Sequence, residues 1–232
     1  MPASVQAVLL DVGGVFHLPD HDRIVAALAR AEVTVDPAGL DRAHYAGVAA
    51  LDDFTEGDRS IWLAYNRAYA RACGDADDRI EAVAEILLNE FTTGGVWTRV
   101  IAGSREALHE LAALGVALAI VSNADGSVEA QLRADGICQV GDGAGVPVGA
   151  VLDSAVVGVA KPDPKIFELA LERLGIAPDA AIHVGDTPAA DVDGARSAGV
   201  RPVLIDPHDD HVALEVDRVR ALSDVVELVR AS

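Results

Sequence analysis

Nowhere does this chain hold an uninterrupted apolar run approaching the roughly 20 residues that cross a bilayer. Yet 51% of its 232 residues are hydrophobic and mean hydropathy is +0.27, which argues against disorder over most of the length. Residues Met1–Gln6 carry no basic region ahead of an apolar stretch, and Val8-Leu9-Leu10 is far too short for a signal-peptide core. No membrane association is expected, and the expected location is the cytoplasm. Cysteine is scarce: Cys73 and Cys138 lie far apart without CxxC spacing, so they read as reduced, partly buried thiols. Basic residues are also few, 18 against 37 acidic, for a formal charge of −19. That field repels polyanions and excludes nucleic acid as a partner. It does not exclude a small phosphorylated substrate, because a metal ion and a lysine reverse the sign locally.

What the chain does have is alternation. Short β-branched runs at Val8–Leu10, Val116–Val121, Ile182–Val184 and Val203–Ile205, with a weaker one at Val151-Leu152, are separated by longer helical stretches. Continuous apolar strands alternating with helices indicate an α/β fold with a parallel sheet covered on both faces. Ser104 is placed to cap a helix ending at Gly115, and Asp163-Pro164 to open one ending at Gly175. Ser223 is read as the start of a final helix. Aromatic residues make up only 4% of the chain. The stretch from about 18 to 96 nevertheless holds all three tyrosines with Phe54, Trp62 and Phe91, and shows no convincing strand. Ile61, Trp62, Tyr65 and Tyr69 recur at helical spacing, which predicts a helix–helix core. This stretch is read as a helical module inserted after the first strand. Gly141–Gly149 is read as a surface loop, and 207–211 as a polar connection.

Four short patches then stand at or just after predicted strand ends, where ligands bind in open α/β sheets. Asp11-Val12-Gly13-Gly14 offers a carboxylate followed by glycines, of which Gly14 lets backbone approach a bound phosphate. Ser122-Asn123 offers a hydroxyl, an amide and nearby N–H groups for phosphoryl oxygens. Lys161, before Pro162, offers a cation on extended backbone. Asp186 and Asp191 flank Thr187-Pro188-Ala189-Ala190 and offer the hard carboxylates that suit Mg²⁺. Singly, the aspartate and serine patches also read as caps or turns, and Lys161 as an ordinary solvated side chain. In this order they supply a nucleophile, donors, a cation and metal ligands for phosphoryl transfer.

With those residues in place, the chain resembles the haloacid dehalogenase superfamily of hydrolases, with all four of its motifs over essentially the whole length. The resemblance implies a Rossmann-like core over 1–17 and 97–232 and an α-helical cap over 18–96. It implies Asp11 as the nucleophile, assisted by Ser122 and Lys161, with Ser122, Asn123, Lys161 and Gly14 around the phosphate. Mg²⁺ would be held by Asp11, the Gly13 carbonyl and Asp186, with Asp191 in direct or supporting contact. The implied activity is a phosphatase of small phosphorylated metabolites acting through an aspartyl-phosphate. Gly13 departs from the pattern, because the family's phosphatases carry there the aspartate that protonates the leaving oxygen, a contribution of about 10²–10⁴ in rate. His17, Asp20 and Asp125 are the candidates to replace it. Two other readings stay open: a weakly catalytic binding protein, and a 2-haloacid dehalogenase in which Arg42 or Arg30 receives the substrate carboxylate. An apolar cap helix covers the site or meets a second copy, so a homodimer is also open.

Overall fold

The computed structural model describes residues 4–35, 39–51, 59–74 and 77–232. Phe54 and the first three residues, which entered the sequence reading, lie outside them. The expected apolar runs form strands: β1 (Ala7–Leu10), β4 (Ala117–Ser122), β7 (Ala150–Asp153), β8 (Ala181–Gly185) and β9 (Arg201–Ile205). With β10 (Asp217–Val219), which the sequence reading missed, they build one six-stranded sheet in the order β10-β9-β8-β1-β4-β7. All of its pairings are parallel. β1 is wholly buried, as its unbroken Ala-Val-Leu-Leu run requires for a strand covered on both faces. From β1 the chain moves outward through β4 to β7, then returns to lay β8, β9 and β10 on the other side. The direction of winding therefore reverses between β1 and β8, the place where open α/β sheets form a crevice for ligands.

Helices α5 (Ser104–Ala113), α6 (Val128–Ala134), α7 (Ser154–Val157), α8 (Pro164–Leu174), α9 (Gly194–Ser197) and α10 (Leu222–Arg230) accompany this sheet. Their apolar sides are held by burial: Ile166, Phe167, Ala170 and Leu171 of α8 join Leu9, Val121 and Leu152 of the strands in one core. α8 begins and ends as its sequence indicates. Asp163 accepts from the Lys165 N–H at 2.9 Å, Pro164 occupies the first turn, and Gly175 closes the helix at φ 68°.

The cap assignment at α5 needs correction, and the last helix starts one residue before Ser223. Ser104 is the first helical residue of α5 and its hydroxyl donates back to the Ile101 carbonyl, while Gly103 precedes it at φ 80°. At α10 the cap is made by Asp224, whose carboxylate accepts from the Ala221 N–H, and Ser223 sits inside the first turn. Serine suits either side of a helix start, so the pattern alone did not place the boundary. The 141–149 stretch is also more ordered than a surface loop: Val146–Val148 (β6) pairs with Cys138–Val140 (β5). Buried Gln139 clamps the turn between them through the Gly145 N–H and carbonyl, both at 3.0 Å.

The chain divides into two compact units, one of residues 1–16, 100–207 and 214–232, the other of 17–99 and 208–213. The second unit contains α1 (His21–Arg30), α2 (Leu40–Ala49), α3 (Arg59–Ala72) and α4 (Ile80–Thr92). It also contains most of a two-stranded sheet of β2 (His17–Pro19) and β3 (Trp97–Val100), too short to stand out in the sequence. Its core is the expected one. Tyr65 and Tyr69 are buried, and their rings meet Phe91 at 5.5 and 5.7 Å between centroids. The polar stretch after Pro207 belongs to this unit, where Asp210 receives a bidentate pair from Arg42 at 2.8 and 2.9 Å. Among the described residues no helix is long and apolar enough to cross a membrane.

Candidate active site

The carboxyl ends of β8, β1 and β4 carry three of the patches within the first unit, while Lys161, expected at a strand end, lies instead between α7 and α8. Asp11 follows β1 and its N–H continues the ladder to the Val184 carbonyl at 2.9 Å. Asp186 follows β8, and Ser122 is the last residue of β4. Asp11, Asp186 and Asp191 are all buried, and a ligand atom from each lies within 4.8 Å of the others. Lys161, only 2% exposed, reaches into this cluster. Its Nζ donates to Asp191 Oδ1 at 2.6 Å and stands 2.9 Å from Asp11 Oδ1. The Asp11 approach is that of an ion pair and not of an aligned hydrogen bond, so Asp11 Oδ1 keeps capacity for another partner.

Two glycines make this crowding feasible. A Cβ on Gly14, whose φ is 65°, would fall 2.0 Å from Asp186 Oδ2. A Cβ on Gly185 would fall 2.2 Å from Asp191 Cγ. At Gly14, expected beside the phosphate, the missing Cβ makes room for the Asp186 carboxylate.

The electrostatics follow from burial and charge. Burial, aided by Asp191 and Asp186 and opposed by Lys161, pushes the Asp11 carboxyl up to about 7. Burial alone would also raise Asp191, but Lys161 and His183 outweigh it and hold that carboxyl well below the usual range. Lys161 is drawn down by burial and more strongly up by Asp11 and Asp191, so it stays a cation. Three carboxylates around one ammonium leave negative charge in excess, and hard oxygen donors of this kind fit a small divalent cation.

Asn123, expected beside the phosphate, has both ends of its side-chain amide on the Lys161 backbone. Its side chain accepts from the Lys161 N–H at 2.8 Å and donates to the Lys161 carbonyl at 2.9 Å. It therefore fixes the backbone of the lysine.

The candidates for a replacement acid fare poorly. Asp20 caps α1, accepting from the Arg23 N–H at 2.9 Å, and this bond holds it below the ordinary carboxylate value. Asp125 accepts from both the hydroxyl and the N–H of Ser127 and is likewise lowered. Both are thus ionised at neutral pH and hold no proton to give. His17 is buried in β2 of the second unit.

Sequence reasoning missed Asp153. It is buried at the end of β7 and accepts from the N–H groups of Gly126, Val128 and Ala155 at 2.9–3.3 Å. Ser154 Oγ accepts from the Ala124 N–H at 3.0 Å. Together they pin the turn that follows Ser122-Asn123. A weak two-residue apolar run was the only local signal, and nothing in it foretold a carboxylate serving a distant loop. Asp153→Ala leaves those N–H groups without their acceptor and is expected to cost about 2–3 kcal/mol. Urea unfolding measures this; a loss below about 0.5 kcal/mol would show that water replaces the carboxylate at no cost.

A family model described as haloacid dehalogenase-like hydrolase matches residues 5–199. Among curated relatives, phosphoserine phosphatase of Thermus thermophilus is 36% identical over 133 residues, 57% of this chain and 49% of that protein. Glyceraldehyde 3-phosphate phosphatase of Methanopyrus kandleri is 43% identical over 86 residues, 33% of this chain and 37% of that one. The chain spans about half the length of the curated relatives it matches. Among solved structures, a phosphatase of Thermococcus onnurineus superposes with TM-score 0.59 at 21% identity, covering 97% of this chain and 98% of the other. A 2-haloacid dehalogenase of Pseudomonas syringae does so with TM-score 0.56 at 24% identity, covering 98% and 100%. At these identities the two likenesses speak for the fold alone. By its sequence and its fold, the chain belongs to the haloacid dehalogenase-like hydrolase family.

Proposed function

We propose that this chain is a Mg²⁺-dependent phosphatase of small organic phosphate monoesters, with Asp11 as the nucleophile. The observation that carries the reading is the buried Asp11–Asp186–Asp191 cluster with the Lys161 ammonium set between two of its members. Relatives named for phosphoserine and glyceraldehyde 3-phosphate support a small phosphorylated metabolite as the substrate class.

Asp11 and Asp186, with the Gly13 carbonyl, would hold the cation. Asp191 supports them from behind, since its oxygens already accept from Lys161, His183 and the Thr187 N–H. Bound there, Mg²⁺ would neutralise phosphoryl charge as the bond to the leaving oxygen breaks. Asp11 forms the new bond to phosphorus, and Lys161 offsets the charge gathered on Asp11 and the phosphoryl group. Gly13 brings no proton to the leaving oxygen, so esters whose leaving groups depart as stable anions are the favoured substrates.

The dehalogenase reading loses support because both cationic candidates are committed within the second unit. Arg42 is paired with Asp210, and Arg30 with Glu90 at 2.9 Å. The test is phosphate release from p-nitrophenyl phosphate and from a panel of sugar and amino-acid phosphates, with Mg²⁺ and with EDTA. Metal-dependent release, fastest on the aryl ester, is expected. Silence on every ester, with Mg²⁺ and inorganic phosphate still bound, would instead make the chain a binding protein. Halide release from a 2-haloacid in EDTA would overturn the choice of bond.

A further inference from the structure

His183 stands in the middle of β8, where the sequence alone suggests packing or a hydrogen bond. It is fully buried, registers against Leu9 of β1, and sets its ring edge-on to Phe167 at 4.9 Å and 81°. A polar ring at such a position costs free energy unless it is bonded. Its Nε2 lies 2.9 Å from Asp191 Oδ1, the same oxygen that receives the Lys161 ammonium. An ionised carboxylate only accepts, so Nε2 carries the proton. Asp191 is thereby held from three sides, by Lys161, by His183, and by the Thr187 N–H on its other oxygen at 2.9 Å. The missing Cβ of Gly185 supplies the room.

We propose that His183 is a positioning residue for Lys161: it fixes Asp191, and Asp191 fixes the ammonium beside Asp11. Without the His183 bond, one carboxylate oxygen would have to steer the ammonium while Asp11 and Asp186 repel the carboxylate that bears it. The ammonium would then share its time among three acids, and Asp11 would lose its fixed counter-charge. The consequence for turnover rests on Asp11 being the nucleophile; the consequence for the ammonium does not.

That difference sets the experiment. Lys161 and Lys165 are the only lysines in the chain, and the Lys165 side chain is 57% exposed. In ¹⁵N-lysine-labelled protein the Lys161 ammonium therefore gives the one slowly exchanging side-chain signal. His183→Leu is expected to speed that exchange at least tenfold and to lower kcat/KM about ten- to a hundredfold, the range for losing a hydrogen bond to a buried charge. His183→Gln, whose Nε2 reaches the same oxygen, is expected to keep the protected signal and stay within about threefold of wild type.

An unchanged ammonium in His183→Leu, or a Gln variant as impaired as the Leu variant, would overturn the proposal. If His183→Leu does not fold, His183→Phe keeps the contact with Phe167 and gives the same comparison. Folding of the Gln variant alone, with its ammonium protected, would support the proposal; failure of the Gln variant to fold would refute it. If wild type releases phosphate from no ester, the phosphatase reading falls, and the ammonium comparison still decides the part played by His183.

Discussion

Asp11→Asn is expected to lower phosphate release by ~10³-fold or more and, in the same protein, to raise the melting temperature of the metal-free form at pH 8. The first effect follows from losing the proposed nucleophile. The second follows from where Asp11 sits. Burial lifts its carboxyl from 3.8 to about 7, so the folded chain holds that proton more tightly than the unfolded chain does. A group shifted this way contributes stability that is complete below the unfolded value and is lost as pH rises through the folded one. Wild type should therefore lose stability relative to Asp11→Asn between about pH 4 and pH 7, the difference being full at pH 8. Mg²⁺ should reverse the order, because binding to the folded state stabilises the protein whose ligands are intact. Thermal unfolding at pH 5 and pH 8, with EDTA and with Mg²⁺, tests all of this beside the release assay. A variant that retains turnover would remove Asp11 from the mechanism, and a pH-independent difference would mean that Asp11 ionises in the folded chain as it does in the unfolded one.

Gly13→Asp is expected to increase turnover of alkyl phosphates by about 10²–10⁴, the contribution of a positioned acid and base. The gain on p-nitrophenyl phosphate should be far smaller, because nitrophenolate departs without a proton. Backbone conformation does not forbid the change, since the left-handed residue of this turn is Gly14 and not Gly13. A plot of log kcat/KM against leaving-group pKa measures the effect. Wild type should show a steep slope and Gly13→Asp a shallow one. Equal slopes would mean that wild type already protonates its leaving group from elsewhere.

Much of this site was legible in the chain because its parts sit beside strand ends. Unbroken runs such as Val8–Leu10 and Ile182–Val184 advertise strands buried on both faces, and a parallel sheet carries whatever follows such strands to one edge. Asp11, Ser122 and Asp186 needed no more than that. The helical stretch was equally plain, since Tyr65 and Tyr69 recur at helical spacing. Where one residue type serves two local ends, as with Ser104 and Ser223 at helix starts, the boundary went astray by a residue or two. Short pairings such as β2 with β3 and β5 with β6 depend on partners that no local pattern marks.

The sequence by itself determined the fold class, the four chemical groups and the empty position at Gly13, because each is written in residues next to one another. The tertiary structure alone decided what those groups do to one another. Gly14 makes room for Asp186, Asn123 holds the Lys161 backbone, Asp153 pins a turn some 25 residues away, and His183 fixes the carboxylate that steers the lysine. Each of these depends on a buried polar group finding a partner from another strand or loop. Inside a protein an unpartnered group is costly, so the partners are set by which chain segments the sheet brings together and not by their spacing in the chain.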